Sequence, residues 1–349
     1  MSPECPAAES ARPPRLPGCE TDSPRVISPK PVPGGPDAGI GDGRLSEAAK
    51  TRLERPSPAN PEPMPALTDV EAVRAWRARC HERWGEDDIA DGVPHRRVER
   101  GGVRCLEAGD PTRATLIYLH GGGYVLGSAR VAIPITNTLA ETLHVVSVDY
   151  RLAPEHPYPA AVDDVVAVFD ILSARGAAVA LGGDSAGAGI ALRAAIQIQA
   201  ARRSRDARRG RYRETERGPN ALLLLSPHLD HAGPMPHDDP EREDLHAMAA
   251  AYRGSIPAHD PRVSPGRSDA SGLPSTLVQT GTADQLHGQA LAFARRARHA
   301  GVDITLDAWV GLWHAWHYHP EVPEAQRALA EAARFVASGS EPDRRRHPA

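Results

Sequence analysis

Two short segments about sixty residues apart could cooperate in cleaving an acyl bond: His120-Gly121-Gly122-Gly123-Tyr124 and Gly183-Asp184-Ser185-Ala186-Gly187. The second has the form G-x-S-x-G, in which a strand turns sharply into a helix and lifts the serine hydroxyl clear of a sheet. The first supplies backbone N–H groups with no side chains to block a close approach. A serine hydroxyl is a weak nucleophile at neutral pH, so it needs a base to take its proton and a third group to hold that base in the productive tautomer. The oxyanion that forms during attack needs preorganised N–H donors, each worth roughly 3–4 kcal/mol of barrier. Gly122 and Gly123 are assigned to that task, with Ala186 N–H as a third donor and Gly121 as the fallback. Either string alone is a weak signal in a chain with 31 glycines, whereas both together in this order are specific.

The remaining partners should follow the serine in the order acid, then histidine, each on a loop after a late strand. Ser275 to Thr280 reads as a buried strand, and Gly281-Thr282-Ala283-Asp284 turns off its end, where strand C-termini gather. Asp284 is the acid. A second apolar run from Val302 to Trp309 leads into Val310-Gly311-Leu312-Trp313-His314, and His314 is the base; His287, just after Asp284, is its competitor. Asp184 adjoins the nucleophile but points elsewhere in such an elbow. The run His314-Ala315-Trp316-His317-Tyr318-His319 has neither the i, i+4 histidine pair nor the intervening glutamate of a helical zinc site, so no metal is assigned and His317 and His319 are expected at the surface. Trp309, Trp313 and Trp316 are expected in the core, the alternative being that one of them walls the substrate pocket.

These residues need a sheet to gather them. Strands are expected near 101–107, 114–119, 144–149, 177–182, 221–226, 275–280 and 302–309, with helices from 159, after Ser185, and near 286–300 and 322–337. That alternation predicts an α/β fold with a mostly parallel central sheet covered on both faces. Residues 66–90 and about 231–262 stand outside the rhythm. Ahead of them, residues 1–65 hold 15 of the 34 prolines and no periodic pattern, and they are expected to be disordered, as is the tail 339–349. Helical spacing starts after Met64 with Thr68 as N-cap, so residues 1–63 are expected to be dispensable and Met64 to be the working start. The arginine-rich stretch from Arg202 to Arg213 reads as a solvated loop between the serine helix and the next strand.

At 349 residues with 40% hydrophobic content, the chain can bury one large core. A formal charge of −4 gives no pull towards nucleic acid, and no stretch has the roughly 20 apolar residues of a membrane span. Cys5, Cys19, Cys80 and Cys105 are scattered without C-x-x-C spacing, and the N-terminus lacks the apolar core of a signal peptide, so a cytoplasmic protein is expected.

Several strings together resemble the hormone-sensitive lipase family of α/β-hydrolases, in its GDSAG subgroup: Tyr118 to Tyr124, Asp149 to His156 with Pro159-Ala160-Ala161, and Gly183 to Gly187. Asp260 to Pro265, Gly281 to Leu286 and Gly311 to His314 extend the likeness over about residues 66–338. The resemblance implies a carboxylesterase for short- to medium-chain esters of small molecules, with no cofactor and with residues 66–90 and 231–262 as a helical cap. It leaves a homodimer open. An amide or acetyl-group hydrolase or a lactonase shares the machinery; a binding protein or a lyase on the same fold are the more distant alternatives. The chain departs from the family at Gly288, where a second acid is usual, and at Ala188, where a further glycine is usual.

Overall fold

The computed structural model describes residues 45–54, 63–83, 93–174, 178–209, 218–236, 239 and 241–339. The expectations for residues 1–44, 55–62, 84–90, 210–213 and 340–349 lie outside the described residues. Eight strands form one sheet: β1 (His95–Arg100), β2 (Val103–Ala108), β3 (Thr115–Leu119), β4 (His144–Val148), β5 (Val179–Asp184), β6 (Ala221–Leu225), β7 (Ser275–Gly281) and β8 (Ile304–Trp309), in the order β1-β2-β4-β3-β5-β6-β7-β8. Strands β1 and β2 are antiparallel to their neighbours, and from β4 to β8 every pairing is parallel. This is the α/β-hydrolase fold.

The sheet is buried on both faces, and its strands divide their side chains by period two. In β6, Leu222 and Leu224 join the core shared with helices α4 (Ala160–Ser173), α5 (Ala186–Arg209) and α7 (His287–His299). Ala221, Leu223 and Leu225 point the other way, into the core shared with α3 (Ile133–Ala140) and α8 (Pro323–Gly339). Parallel strands deliver all their C-terminal ends to one edge, so the loops after β3, β5, β6, β7 and β8 converge there.

Several elements differ from the sequence reading, β1 and α3 being regular structure where none was expected. Residues Glu47–Glu54 form a helix, α1, inside the stretch expected to be disordered; it packs on α8 through the fully buried Ala49. Helix α2 (Val70–Arg83) takes its cap from Asp69, whose Oδ1 accepts the Ala72 N–H at 3.0 Å, in place of Thr68. The arginine run starts as helix, because α5 continues to Arg209.

Candidate active site

Ser185 sits at the joint of β5 and α5 with φ +49°, a left-handed value that a non-glycine residue adopts only when its surroundings enforce it. Gly183 and Gly187 explain the enforcement. A Cβ on Gly187 would run into the carbonyl of Leu119, and one on Gly183 would meet the same carbonyl and the Gly187 backbone, so both glycines let β3 lie against the turn. The serine is then tied down by main chain: its N–H donates to Leu225 O at 2.9 Å and its carbonyl accepts from His228 N–H at 3.0 Å.

The loops after β7 and β8 bring the other two groups to it. His314 Nε2 lies 2.9 Å from Ser185 Oγ, and His314 Nδ1 lies 3.0 Å from Asp284 Oδ1. Asp284 is enclosed, and Leu286 N–H donates to its Oδ1 at 2.8 Å. Burial alone would raise the Asp284 carboxyl, but the facing His314 charge and these hydrogen bonds outweigh it and hold the carboxyl below its ordinary value. His314 is the mirror case: burial disfavours the imidazolium, yet Asp284 raises it above its usual value. His287 is placed elsewhere, with Nδ1 3.4 Å from Thr280 Oγ1.

Opposite the serine, the loop after β3 runs with Gly122 at φ +113° and Gly123 at φ +60°. Leu126 N–H closes the loop on Gly122 O at 2.8 Å. Among the described residues no hydrogen bond takes up the N–H of Gly122, Gly123 or Ala186. Gly121 is different: its N–H donates to Asp184 Oδ1 at 3.0 Å, which removes it as an oxyanion donor. Asp184 is fully buried and also accepts from Tyr118 OH at 2.8 Å and Tyr318 OH at 3.2 Å, so one carboxylate joins the glycine loop, the serine elbow and the histidine loop. Burial pushes it up to about 6, against the pull of the tyrosine hydrogen bonds. His120 supports the loop from beneath, with Nδ1 2.8 Å from Gly121 O and its ring stacked on Tyr150.

Two residues of the site went unread in the sequence. Ser226, at the end of β6 with φ +42°, accepts the Ala315 N–H on Oγ at 3.1 Å and so holds the backbone next to His314. Its position at the C-terminal end of a parallel strand was the available signal. Met248, on α6 (Arg242–Arg253), stands over Gly123, where a Cβ would run into its Sδ. Tyr252 of the same helix stacks on Tyr124 at 4.2 Å. From the other side, Arg77 of α2 donates to Val125 O at 2.8 Å, to Ala153 O at 3.1 Å and to the Glu155 carboxylate.

His317 corrects the sequence reading: it is enclosed and stacked on Trp316, not at the surface, and burial holds it down to about 3. His319 is half-buried, beside Trp313. Trp309 and Trp316 pack with Leu312 in a separate apolar cluster, with Trp313 against it, as core packing requires.

A sequence profile of the alpha/beta hydrolase fold matches residues 116–318. The acetyl-hydrolase of Streptomyces hygroscopicus is 35% identical over 289 residues, covering 78% of this chain and 91% of that protein. An esterase of Acinetobacter venetianus is 32% identical over 263 residues, covering 70% and 82%. Among solved structures, an esterase from the bacterial hormone-sensitive lipase family superposes with a TM-score of 0.66 at 29% identity, over 84% of this chain and 96% of that one. The hormone-sensitive lipase homologue EstE7, from a metagenome library, gives 0.69 at 26% identity over 85% and 100%. With its serine elbow and glycine loop set on this sheet, the chain belongs to the hormone-sensitive lipase family of α/β-hydrolases.

Proposed function

We propose that this protein is a serine carboxylesterase that acts on short-chain esters of small molecules. The observation that carries the reading is the unbroken chain from Ser185 Oγ through His314 to Asp284, at 2.9 and 3.0 Å, facing a loop whose Gly122 and Gly123 N–H groups are unspent. In this scheme His314 takes the Ser185 proton as Oγ attacks the ester carbonyl, and Gly122, Gly123 and Ala186 hold the oxyanion. Collapse breaks the C–O bond to the alcohol, His314 returns the proton to the departing oxygen, and the acyl group stays on Ser185. Water, deprotonated by the same imidazole, then releases the acid and restores the serine.

Helices α2 and α6 are read as the cap over this site. Met248 standing over Gly123 narrows the space beside the oxyanion donors, which supports a short acyl group. Acetyl esters are the narrower reading, favoured by the likeness to the S. hygroscopicus acetyl-hydrolase. No helix among the described residues is long and apolar enough to cross a membrane. Cys105 is a buried thiol outside any disulfide, which supports a cytoplasmic setting. A panel of p-nitrophenyl esters of increasing acyl length, with lactones and anilides alongside and the Ser185→Ala protein as control, tests the reading. Turnover should be highest for acetate to butyrate and lost in Ser185→Ala; turnover of lactones or anilides alone would overturn the ester assignment. Sedimentation of the purified chain decides whether it is a homodimer.

A further inference from the structure

Helix α1 packs on the start of α8 and on the loop that carries His314. Ser46 donates to both oxygens of Glu324, from its N–H and from its hydroxyl, each at 2.8 Å. Ala49 is fully buried among Trp309, Leu312, Trp316 and Ala325. Leu45 covers Gly311 so closely that a Cβ there would stand 3.2 Å from Leu45 Cδ1. Arg52 Nε donates to His319 Nδ1 at 3.3 Å, where Glu321 is also 3.3 Å away. These anchors, at 311, 319 and 324, bracket His314 in sequence on both sides.

The loop needs holding. Between the end of β8 and the start of α8 its regular structure is one 3₁₀ turn, Trp316–Tyr318, and it bends at two left-handed residues, Gly311 and Ala315. Its inner face is tied by Ala283 N–H to Leu312 O, Gly311 N–H to Thr282 Oγ1 and Ala315 N–H to Ser226 Oγ. The outer face is where α1 sits. An eight-residue helix has little stability of its own in water, so α1 forms because it docks. Both Glu324 oxygens accept from Ser46, and Glu324 is only 6% exposed; docking is therefore specified by a buried polar contact as well as by the apolar plug Ala49.

We propose that Leu45–Glu54 is a positioning strap for the catalytic base: docked on the outer face of the His314 loop, it keeps the imidazole in register with Ser185. The proposal rests on the esterase reading for its kinetic test, while its structural test stands without it. Full-length Ala49→Arg and Ser46→Ala undock the strap, Ser46→Thr restores the hydroxyl, and Lys50→Ala, on the exposed side of α1, is the control. A misplacement of about 1 Å can cost roughly 100-fold in rate. Well below the melting temperature, Ala49→Arg should therefore lose about tenfold or more in kcat with p-nitrophenyl acetate while KM changes little. The rate of Ser185 labelling by a fluorophosphonate should fall in parallel, with Ser46→Thr near native and Lys50→Ala unchanged. Amide exchange across 310–319 should accelerate in Ala49→Arg and Ser46→Ala. A lower melting temperature with native kcat and labelling rate would overturn the strap and leave α1 as packing. Unchanged exchange at 310–319 would overturn it whether or not the protein hydrolyses esters.

Discussion

Replacing Asp284 with asparagine keeps the side chain's shape and removes its charge, and the structure says where the pH profile should go. Opposite charges about 4 Å apart at an effective dielectric of about 20 attract by about 4 kcal/mol. Burial opposes the charge and cancels part of this, leaving His314 raised above 6.5. Only the neutral imidazole can accept the Ser185 proton. Native kcat/KM should therefore fall, about tenfold per pH unit, as pH drops through a value above 6.5. In Asp284→Asn the burial remains and its main opponent is gone, so the acid limb should move below 6.5. The plateau should drop roughly 10⁴-fold, because the asparagine can favour the tautomer that presents Nε2–H to the serine. The assay is kcat/KM for p-nitrophenyl acetate between pH 4.5 and 9, read at the nitrophenol isosbestic wavelength. An acid limb that stays in place, or activity within a few-fold of native, would show that Asp284 does not set the state of His314.

Ser185→Ala and His314→Ala should each lower kcat by several orders of magnitude, and the double variant should be scarcely worse; multiplicative losses would break up the unit. Gly122→Ala and Gly123→Ala should each cost about 10²–10³-fold, the worth of one oxyanion donor. Met248→Ala should partly rescue only the second, because a Cβ at 123 meets the flexible Met248 Sδ whereas one at 122 meets the Leu126 carbonyl. Equal rescue of both would contradict the placement. Asp184 is raised to about 6 by burial, so it contributes stability in its protonated form that is lost as pH rises from about 4 through about 6. Asp184→Asn should gain on the native protein across that window, by on the order of 3 kcal/mol at pH 8, as a widening gap in melting temperature. A gap independent of pH would contradict the shift.

Much of the site was legible because its signals are local. The elbow, the glycine loop and the two late strand-to-loop junctions each carry their chemistry within a few residues, and the parallel sheet brings them together. What escaped was decided by neighbours distant in sequence. Gly121 looks like its two successors, and only the Asp184 carboxylate, 63 positions away, spends its N–H. His317 sits in a polar aromatic run that says nothing of direction; the stack on Trp316 turns it inward. Helix α1 buries a single alanine and lacks a periodic apolar face, so no pattern in residues 45–54 announces a helix that exists through Glu324 and the Trp309 cluster. Strand β1, His-Arg-Arg-Val-Glu-Arg, is an edge strand with half its residues exposed, and it lacks the apolar alternation that marked the others.

The central claim is that Ser185 carries the acyl group. Rapid acid quench of the enzyme with p-nitrophenyl acetate, followed by peptide mass analysis, reads this directly. One acetyl group should appear on the peptide containing Ser185 in the native protein, persist longer in a variant slow in deacylation, and be absent from Ser185→Ala. Turnover with no acyl adduct at Ser185, or an adduct formed equally in Ser185→Ala, would contradict the account.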